Sequence, residues 1–389
     1  MTLSEILPSL GGMLVTRLEP ETWPSGTTRT PDGDLVVGGV GLNALADRFG
    51  TPLHVLDDAE LRARCRDYRN ALPDAEIMLA GDQFVPSSNA LRCLAEEGMA
   101  LAVGSGRDAA LARANGVPAH RLLVAGSPAG GEQAIAGGCG RVTVGTLRDV
   151  RAVARFADGR QDVLVDVGRR RGAGVLIDYD RAMSVVRRLL AEESLRFTGL
   201  RCVVVPGTDV PGIEAVVRRL VRLTIEMRDT YGVATRELGI AGEHRGTGGF
   251  DLRGFAARVT IALGLECARH RLRPPRLLVE PGRAFTARAG VAVRRVVAVA
   301  DGRLVVVDGP VGSRRAQVTG RSAARDTRAL TVVGWDGSSV DGVRLPADVQ
   351  AGDLLAFAGA DTSRWVPLVT VATGVARAEV AGDDVVSAR

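Results

Sequence analysis

Eight short apolar runs between residues 52 and 242, each followed by a helical pattern, restrict this chain to the α/β fold classes. The runs are PLHVLD (52–57), AEIMLAG (75–81), ALAVGS (100–105), RLLVAG (121–126), VTVG (142–145), DVLVDVG (162–168), GLRCVVV (199–205) and ELGIAG (237–242). Between them, stretches such as PGIEAVVRRLVRLTIEMRDTYG place apolar residues three and four positions apart, which is the helical period. This alternation predicts a (β/α)₈ barrel of the TIM type over residues 45–285. An open, doubly wound parallel sheet is the alternative.

After residue 285 the apolar period changes to two, in segments such as VAVRRVVAV and LTVVGW, with Gly and Asp turns between them. This pattern predicts a mostly antiparallel β domain over residues 286–389. The first 44 residues contain Pro20, Pro24 and Pro31 and do not fit a strand and helix unit. We therefore expect residues 1–44 to add an N-terminal segment to the same β domain.

Composition limits the partners that the chain is expected to have. The sequence counts 50 residues as Lys or Arg against 45 as Asp or Glu, and reading along it shows that all 50 are arginine. These arginines are spread along the chain and only 4% of residues are aromatic, so we expect no nucleic-acid groove with stacking side chains. The five cysteines are widely spaced, without a CxxC pair, which indicates reduced thiols. Met1 is followed by Thr-Leu-Ser-Glu, and no run of about 18 apolar residues occurs, so we expect a cytoplasmic protein without a membrane partner.

Four segments carry a resemblance to a known family: GTPLHVLD (50–57), LRCLAEEGMALAVGSG (91–106), VEPGRAFTARAGV (279–291) and LPADVQAGDLLAFAGA (345–360). In these segments the chain resembles the fold type III pyridoxal phosphate-dependent decarboxylases, a family that includes diaminopimelate and ornithine decarboxylases. The resemblance covers nearly the whole chain. It implies a barrel with a β domain, a two-fold homodimer, and a small-molecule ligand at the barrel mouth. Glu280, Arg283 and Asp341 match family positions.

Other positions depart from the family pattern. Asp82 stands where the family has the lysine that holds the cofactor, and about Val203 the ring-stacking histidine is missing. Ala241-Gly242-Glu243 stands where the family has a triple-glycine phosphate loop. Gly337-Ser338-Ser339 stands where the family has the cysteine and glutamate that reach the neighbouring subunit's site, and Gly359-Ala360-Asp361 stands where it has a Gly-Ala-Tyr motif. A side-chain imine needs a primary amine, and the chain has no lysine, so a covalent pyridoxal phosphate aldimine is predicted to be excluded.

The carboxyl ends of the predicted barrel strands supply the candidate site residues, because barrel enzymes place their sites at that face. We predict that Asp82, Glu243 and His244 are catalytic, since paired carboxylates serve acid and base chemistry and histidine titrates near neutral pH. The predicted ligand-binding residues are Arg283, Glu280, Ser105, Asp341 and Asp361. Oxygen ligands for a divalent metal are offered by Asp82, Glu243 and Asp361. The structural alternatives are helix caps for Asp82 and Ser105, and ion pairs for Glu243 and Arg283.

Two functions from different classes follow from these residues. In the first, the chain is a repurposed enzyme that binds an amino-acid-like, carboxylate or phosphate ligand and performs cofactor-independent or metal-assisted chemistry. In the second, it is a catalytically silent pseudoenzyme that works by binding a ligand or a protein partner. A third alternative is noncovalent binding of pyridoxal phosphate with amino-acid decarboxylase chemistry.

Overall fold

The structure is a computed structural model that divides the chain into two compact units. One unit combines Met1–Leu61 with Thr286–Arg389, and the other is Arg62–Phe285. The residues that the structure describes are 18, 22–80, 87–171, 174–205, 207–242, 251–282, 285, 288–359, 366, 368–372 and 374–379.

The N-terminal part of the first unit is a small sheet followed by a helix and a strand. Its elements are β1 (Thr28–Arg29), β2 (Leu35–Val37), β3 (Val40–Gly41), α1 (Leu42–Phe49) and β4 (Leu53–Asp57). The strand β4 corrects one prediction, because PLHVLD was expected to open the barrel. It instead pairs antiparallel with residues 290–293 and parallel with residues 368–371. The boundary of this unit therefore falls after residue 61, not after residue 44.

The second unit contains a closed barrel of eight parallel strands. The strands of this part of the chain are β5 (Glu76–Ala80), β6 (Ala100–Val103), β7 (Leu122–Val124), β8 (Arg141–Val144), β9 (Gln161–Asp166), β10 (Gly168–Arg171), β11 (Gly174–Ile177), β12 (Leu195–Val203), β13 (Glu237–Ala241) and β14 (Arg276–Glu280). The barrel runs β5 to β9 and then β12 to β14, while β10 and β11 form an antiparallel hairpin. The predicted barrel is confirmed, with β14 in the place that had been assigned to PLHVLD.

Helices follow β4 and most of the barrel strands. They are α2 (Asp58–Ala71), α3 (Ser88–Glu96), α4 (Gly106–Ala114), α5 (Glu132–Ala136), α6 (Leu147–Phe156), α7 (Tyr179–Leu190), α8 (Val210–Tyr231) and α9 (Leu252–Arg269). Short polar side chains begin several of them, because an oxygen at the N-cap accepts from a backbone N–H of the first turn that has no partner within the helix. Thr146 and Asp149 form a reciprocal capping box at α6. None of the described helices has the length and apolar composition needed to cross a membrane.

The β domain of the first unit is completed by the C-terminal strands. These are β15 (Gly290–Ala300), β16 (Leu304–Val307), β17 (Ala316–Thr319), β18 (Thr327–Gly334), β19 (Ser339–Pro346), β20 (Leu354–Ala358), β21 (Leu368–Ala372) and β22 (Val375–Glu379). The pairing is mostly antiparallel, with β4 beside β21 and β16 beside β18 as parallel exceptions. Trp23, Leu35 and Leu42 pack in one buried cluster with Val291 and Val371. The predicted addition of the N-terminal segment to this domain is therefore confirmed.

The interior of the barrel is layered along its axis. Alternate residues of a strand face opposite sides, so Met78, Leu164 and Leu278 share the inner face with the charged residues two positions away on the same strands. These three pack with Ala100, Ala102 and Leu123 in one buried apolar cluster. Charged side chains lie inside the barrel at both ends of this apolar layer.

Candidate functional site

Three charged side chains meet inside the carboxyl end of the barrel, and we name Asp166, Arg201 and Glu280 the mouth triad. Arg201 on β12 donates through Nε and Nη2 to both oxygens of Glu280, the last residue of β14, at 2.6 and 2.7 Å. Its Nη1 donates to Oδ2 of Asp166, the last residue of β9, at 2.9 Å. One planar guanidinium thus fixes two carboxylates at the face where barrel proteins place their sites.

Two backbone features lie beside Arg201. A bulge between Phe197 and Gly199 shifts the register of β12, so that Arg201 lies beside Asp166 of β9. On the other side, a Cβ added at Gly239 would lie 3.1 Å from Cγ of Arg201, which is tighter than usual packing. A larger residue at position 239 would therefore crowd the arginine stem.

With both carboxylates ionised, the mouth triad has a formal charge of −1, from one guanidinium and two carboxylates. Burial raises the pKa of Asp166 above its ordinary value, and the charge of Arg201 only partly opposes this effect. Burial on its own would lower the pKa of Arg201, but the charges and hydrogen bonds of Glu280 and Asp166 raise it. The Asp166 side chain is 24% exposed against 4% for Glu280, so Asp166 is the more accessible carboxylate.

A second arginine cluster lies at the amino end of the same barrel, and we name Glu76, Arg141 and Glu237 the base cluster. Arg141 donates to Glu76 at 2.8 Å and to Glu237 at 2.7 Å. Arg276 adds a further contact to Glu76 at 3.0 Å, so these four groups balance in charge. Residues at this end of a barrel contribute to stability rather than to chemistry.

Three of the predicted site residues lie in the described part of the chain. Glu280 belongs to the mouth triad. Ser105 is the N-cap of α4, where its Oγ accepts from the Asp108 N–H at 3.1 Å. Asp341 is on β19 and accepts from the Thr331 hydroxyl at 2.8 Å. These contacts match the structural alternative for Ser105, and roles in ligand binding for these residues stay predictions.

The other predicted site residues lie outside the described residues: Asp82, Glu243, His244, Arg283 and Asp361. The predicted metal site falls on the same residues. Within the described ranges, no three His, Cys, Asp or Glu side chains are grouped closely enough to hold a metal ion.

Asp166 and Arg201 were not recognised from the sequence. Each is a charged residue with an apolar neighbour on either side, in DVLVDVG and GLRCVVV. That placement was a usable signal, because a charge in a buried strand needs a partner. Arg201 lies 35 residues from Asp166 and 79 residues from Glu280 along the sequence. The local pattern alone therefore does not pair them.

The fold and the charged barrel mouth place this chain in the class of proteins that join a parallel eight-stranded α/β barrel to a separate β domain. The family model "Pyridoxal-dependent decarboxylase, pyridoxal binding domain" matches residues 58–287. The chain therefore belongs to the pyridoxal-dependent decarboxylase family, as the resemblance predicted.

Relatives with known names agree with that assignment. The chain is 39% identical to a diaminopimelate decarboxylase of Actinosynnema pretiosum subsp. auranticum, over 92% of this chain and 89% of that protein. It is 28% identical to the diaminopimelate decarboxylase of Mycobacterium tuberculosis, over 88% of each chain. The structure of diaminopimelate decarboxylase from M. jannaschii in complex with L-lysine matches with a TM-score of 0.76 at 15% identity, covering 90% of this chain and 93% of that one. At that identity, the structural match shows the fold alone.

These findings correct the predicted function and cofactor. Cofactor-independent chemistry and a silent pseudoenzyme were predicted, whereas the family is pyridoxal-dependent and the relatives are diaminopimelate decarboxylases. The prediction of no covalently held pyridoxal phosphate is contradicted by the same findings, because the family and the relatives depend on this cofactor. The sequence contains no lysine, but that absence does not exclude the cofactor, for which noncovalent binding was the third alternative.

The residues present fit pyridoxal phosphate only in part. The mouth triad offers acceptor oxygens and a guanidinium at the carboxyl face of the barrel. No side chain in the sequence is a primary amine, so the residues do not fit a form of the cofactor that is held by a lysine.

Proposed function

We propose that this protein is a pyridoxal phosphate-dependent amino-acid decarboxylase of the diaminopimelate type. The observation that carries the proposal is the 39% identity to a diaminopimelate decarboxylase over 92% of the chain. The matched family segment, residues 58–287, takes in all eight strands of the barrel. Sequence similarity of this extent weighs more than the loss of single motif positions.

The mouth triad suits the charge of such a substrate. An amino acid with two ammonium groups carries cationic nitrogens, and the triad has an excess of one negative charge. The acceptor oxygens are held by hydrogen bonds before any ligand arrives, which lowers the cost of organising the site. The triad therefore supports binding of a nitrogen cation at the barrel mouth.

Four further proposals accompany this function. The undescribed residues Asp82, Glu243 and His244 are proposed as catalytic, with Arg283 and Asp361 as ligand-binding residues beside Glu280, Ser105 and Asp341. A homodimer is proposed as the assembly, as the resemblance to the family implies. Sedimentation that gives only monomer at micromolar concentration would contradict the dimer. The cytoplasm is proposed as the location, in keeping with five buried cysteines, and cell fractionation checks it.

The test is an assay of carbon dioxide release from meso-diaminopimelate by the purified full chain, with and without added pyridoxal phosphate. We expect activity that saturates with added cofactor, because no lysine is available to retain it through purification. Glu280→Gln should lose activity, while Glu237→Gln at the opposite end of the barrel is the matched control and should keep it. Absence of carbon dioxide release by the wild-type chain at saturating cofactor would overturn the proposal.

A further inference from the structure

The outer face of α9 presents an apolar pair to solvent. Ile261 and Leu265 lie about one turn apart on this helix, and each is 58% exposed. Single exposed apolar residues are common on protein surfaces, but residues four positions apart are neighbours on one helix face and form a continuous apolar surface. Gly264 lies beside them, and a Cβ added there would meet no atom within 4 Å. The missing side chain leaves a notch that has room for a side chain of a second helix.

An ion-pair cluster precedes this apolar pair, at the seam between α8 and α9. Glu214 of α8 accepts hydrogen bonds from Arg258, which lies about one turn before Ile261, and from Arg218 at 3.1 Å. The Glu214 side chain is 12% exposed, against 51% for Arg258. Two guanidinium groups and one carboxylate give the cluster a formal charge of +1, and its more exposed groups are the cations.

A second cluster of the same composition follows the apolar pair. The buried Glu266 accepts from Arg222 of α8 at 3.4 Å and from Arg269 at 3.2 Å, and both arginines are exposed. Nε2 of His270 is 3.9 Å from the same carboxylate and adds a further positive charge when it is protonated. The two clusters therefore place exposed positive charge at both ends of the apolar pair.

The surrounding surface has the same sign of charge. Residues 209–231 and 251–273, which contain α8, α9 and their ends, hold nine arginines and six acidic residues, a formal charge of +3. Two of these acidic residues cap the starts of the helices, and a third pairs with Arg228 at the end of α8. Glu226 is the one acidic residue outside these contacts and the two clusters, and it is exposed. The apolar pair thus lies within a positively charged surface.

We propose that this face of α9 binds an acidic amphipathic helix of another protein. Apolar residues of that helix would cover Ile261 and Leu265, and its carboxylates would meet the two arginine clusters. The inference goes beyond the proposed function, because the face lies on the outer side of a barrel helix and contains no residue of the mouth triad.

Charge decides between the possible occupants of this face. An acidic helix is attracted at both ends of the apolar pair, whereas a second copy of the chain would bring its own arginine clusters against these, and like charges across an interface oppose association. A membrane surface fits less well, because membrane-binding helices usually present aromatic or many large apolar side chains. The one aromatic residue of α9, Phe255, is buried.

The spacing of the clusters defines a complementary probe. Arg258 and Arg269 are eleven residues apart, which corresponds to about 16 Å, or three turns, along the helix. The matching probe is a synthetic helix of about 20 residues, with two leucines four positions apart and a pair of glutamates one turn beyond each leucine. A peptide with lysine in place of every glutamate is its control.

The test is a fluorescence anisotropy titration of the labelled peptides with the full-length chain. We expect saturable binding of the acidic peptide, weakened at least about fivefold when salt is raised from about 50 to about 300 mM, and no binding of the lysine peptide. Ile261→Gln combined with Leu265→Gln should weaken binding at least about tenfold and leave the unfolding temperature unchanged, because both side chains are exposed. Leu190→Gln, at an exposed leucine of α7, is the matched control and should bind as wild type does.

Four results would overturn this inference. The acidic peptide fails to bind wild type, or it binds the double variant equally well. Sedimentation shows that the double variant has lost a self-association of wild type, in which case a second copy covers the face. Wild type binds phosphatidylglycerol vesicles but not the peptide, in which case the face meets a membrane. The carbon dioxide assay is independent of these measurements, so failure of this inference and failure of the proposed function are distinguishable.

Discussion

His54 makes the stability of the β domain depend on pH in a way that can be calculated. It lies on β4 with 2% exposure, and its Nε2 is 3.0 Å from Nη2 of Arg294. Burial, aided by the charge of Arg294, lowers the pKa of His54 from 6.5 to about 3. The folded protein therefore keeps this imidazole neutral at pH values where the unfolded chain protonates it.

The sign and size of the pH effect on stability follow from this difference in proton binding between the folded and unfolded protein. Because the folded pKa is depressed, the contribution to stability is complete above about pH 6.5 and is lost as the pH falls from there toward about 3. From about pH 7.5 to about pH 5, the loss is about 2 kcal/mol, since each unit of pKa difference corresponds to about 1.4 kcal/mol.

The assay is urea unfolding of wild type and His54→Gln at several pH values between about 5 and 7.5. Glutamine keeps an acceptor for Arg294 but does not titrate, so its free energy of unfolding should fall less steeply as pH is lowered. Other groups contribute equally to both proteins, and the difference between the two curves isolates His54. His120→Gln, at an exposed position, is the control and should follow wild type. Parallel curves for wild type and His54→Gln would refute the reasoning.

Three further predictions concern other parts of the chain. Arg294→Met removes the donor to three backbone carbonyl groups in a buried site, and should lower the free energy of unfolding by at least about 3 kcal/mol in urea titrations. Gly199→Ala should prevent stable folding as seen by circular dichroism, because the added Cβ would lie 2.0 Å from the backbone oxygen of Glu237. Gly264→Ala is the control: its added Cβ would meet no atom within 4 Å, and the change should raise helix stability by up to about 1 kcal/mol. Asp82→Asn should weaken diaminopimelate binding by about 2 to 4 kcal/mol in calorimetry if the residue contacts the ligand. Unchanged affinity, with a stability loss of about 1 kcal/mol, would identify Asp82 as a helix cap instead.

The candidate site was only partly predictable from residue types. Glu280 was recognised because its motif resembles a family segment, whereas Asp166 and Arg201 match no motif. The absence of lysine predicted that pyridoxal phosphate is not held covalently, and the similarity along the whole chain contradicts that prediction. Motif positions report local chemistry, and they do not show which groups a fold brings together.

By itself, the sequence determined the alternation of strands and helices, the change to period two after residue 285, and the family. These signals come from local patterns or from similarity summed over many residues, so a change at one position does not remove them. Tertiary structure decided that β4 joins the β domain, because a short run of apolar residues is compatible with any buried sheet and its partners, such as Val291 and Val369, lie hundreds of positions away. It also decided that Arg201 meets Asp166 and Glu280. The closed barrel pairs β9 with β12 and places β14 one strand further on, beyond β13, so that the three side chains meet inside it. The burial of their charges then makes pairing obligatory.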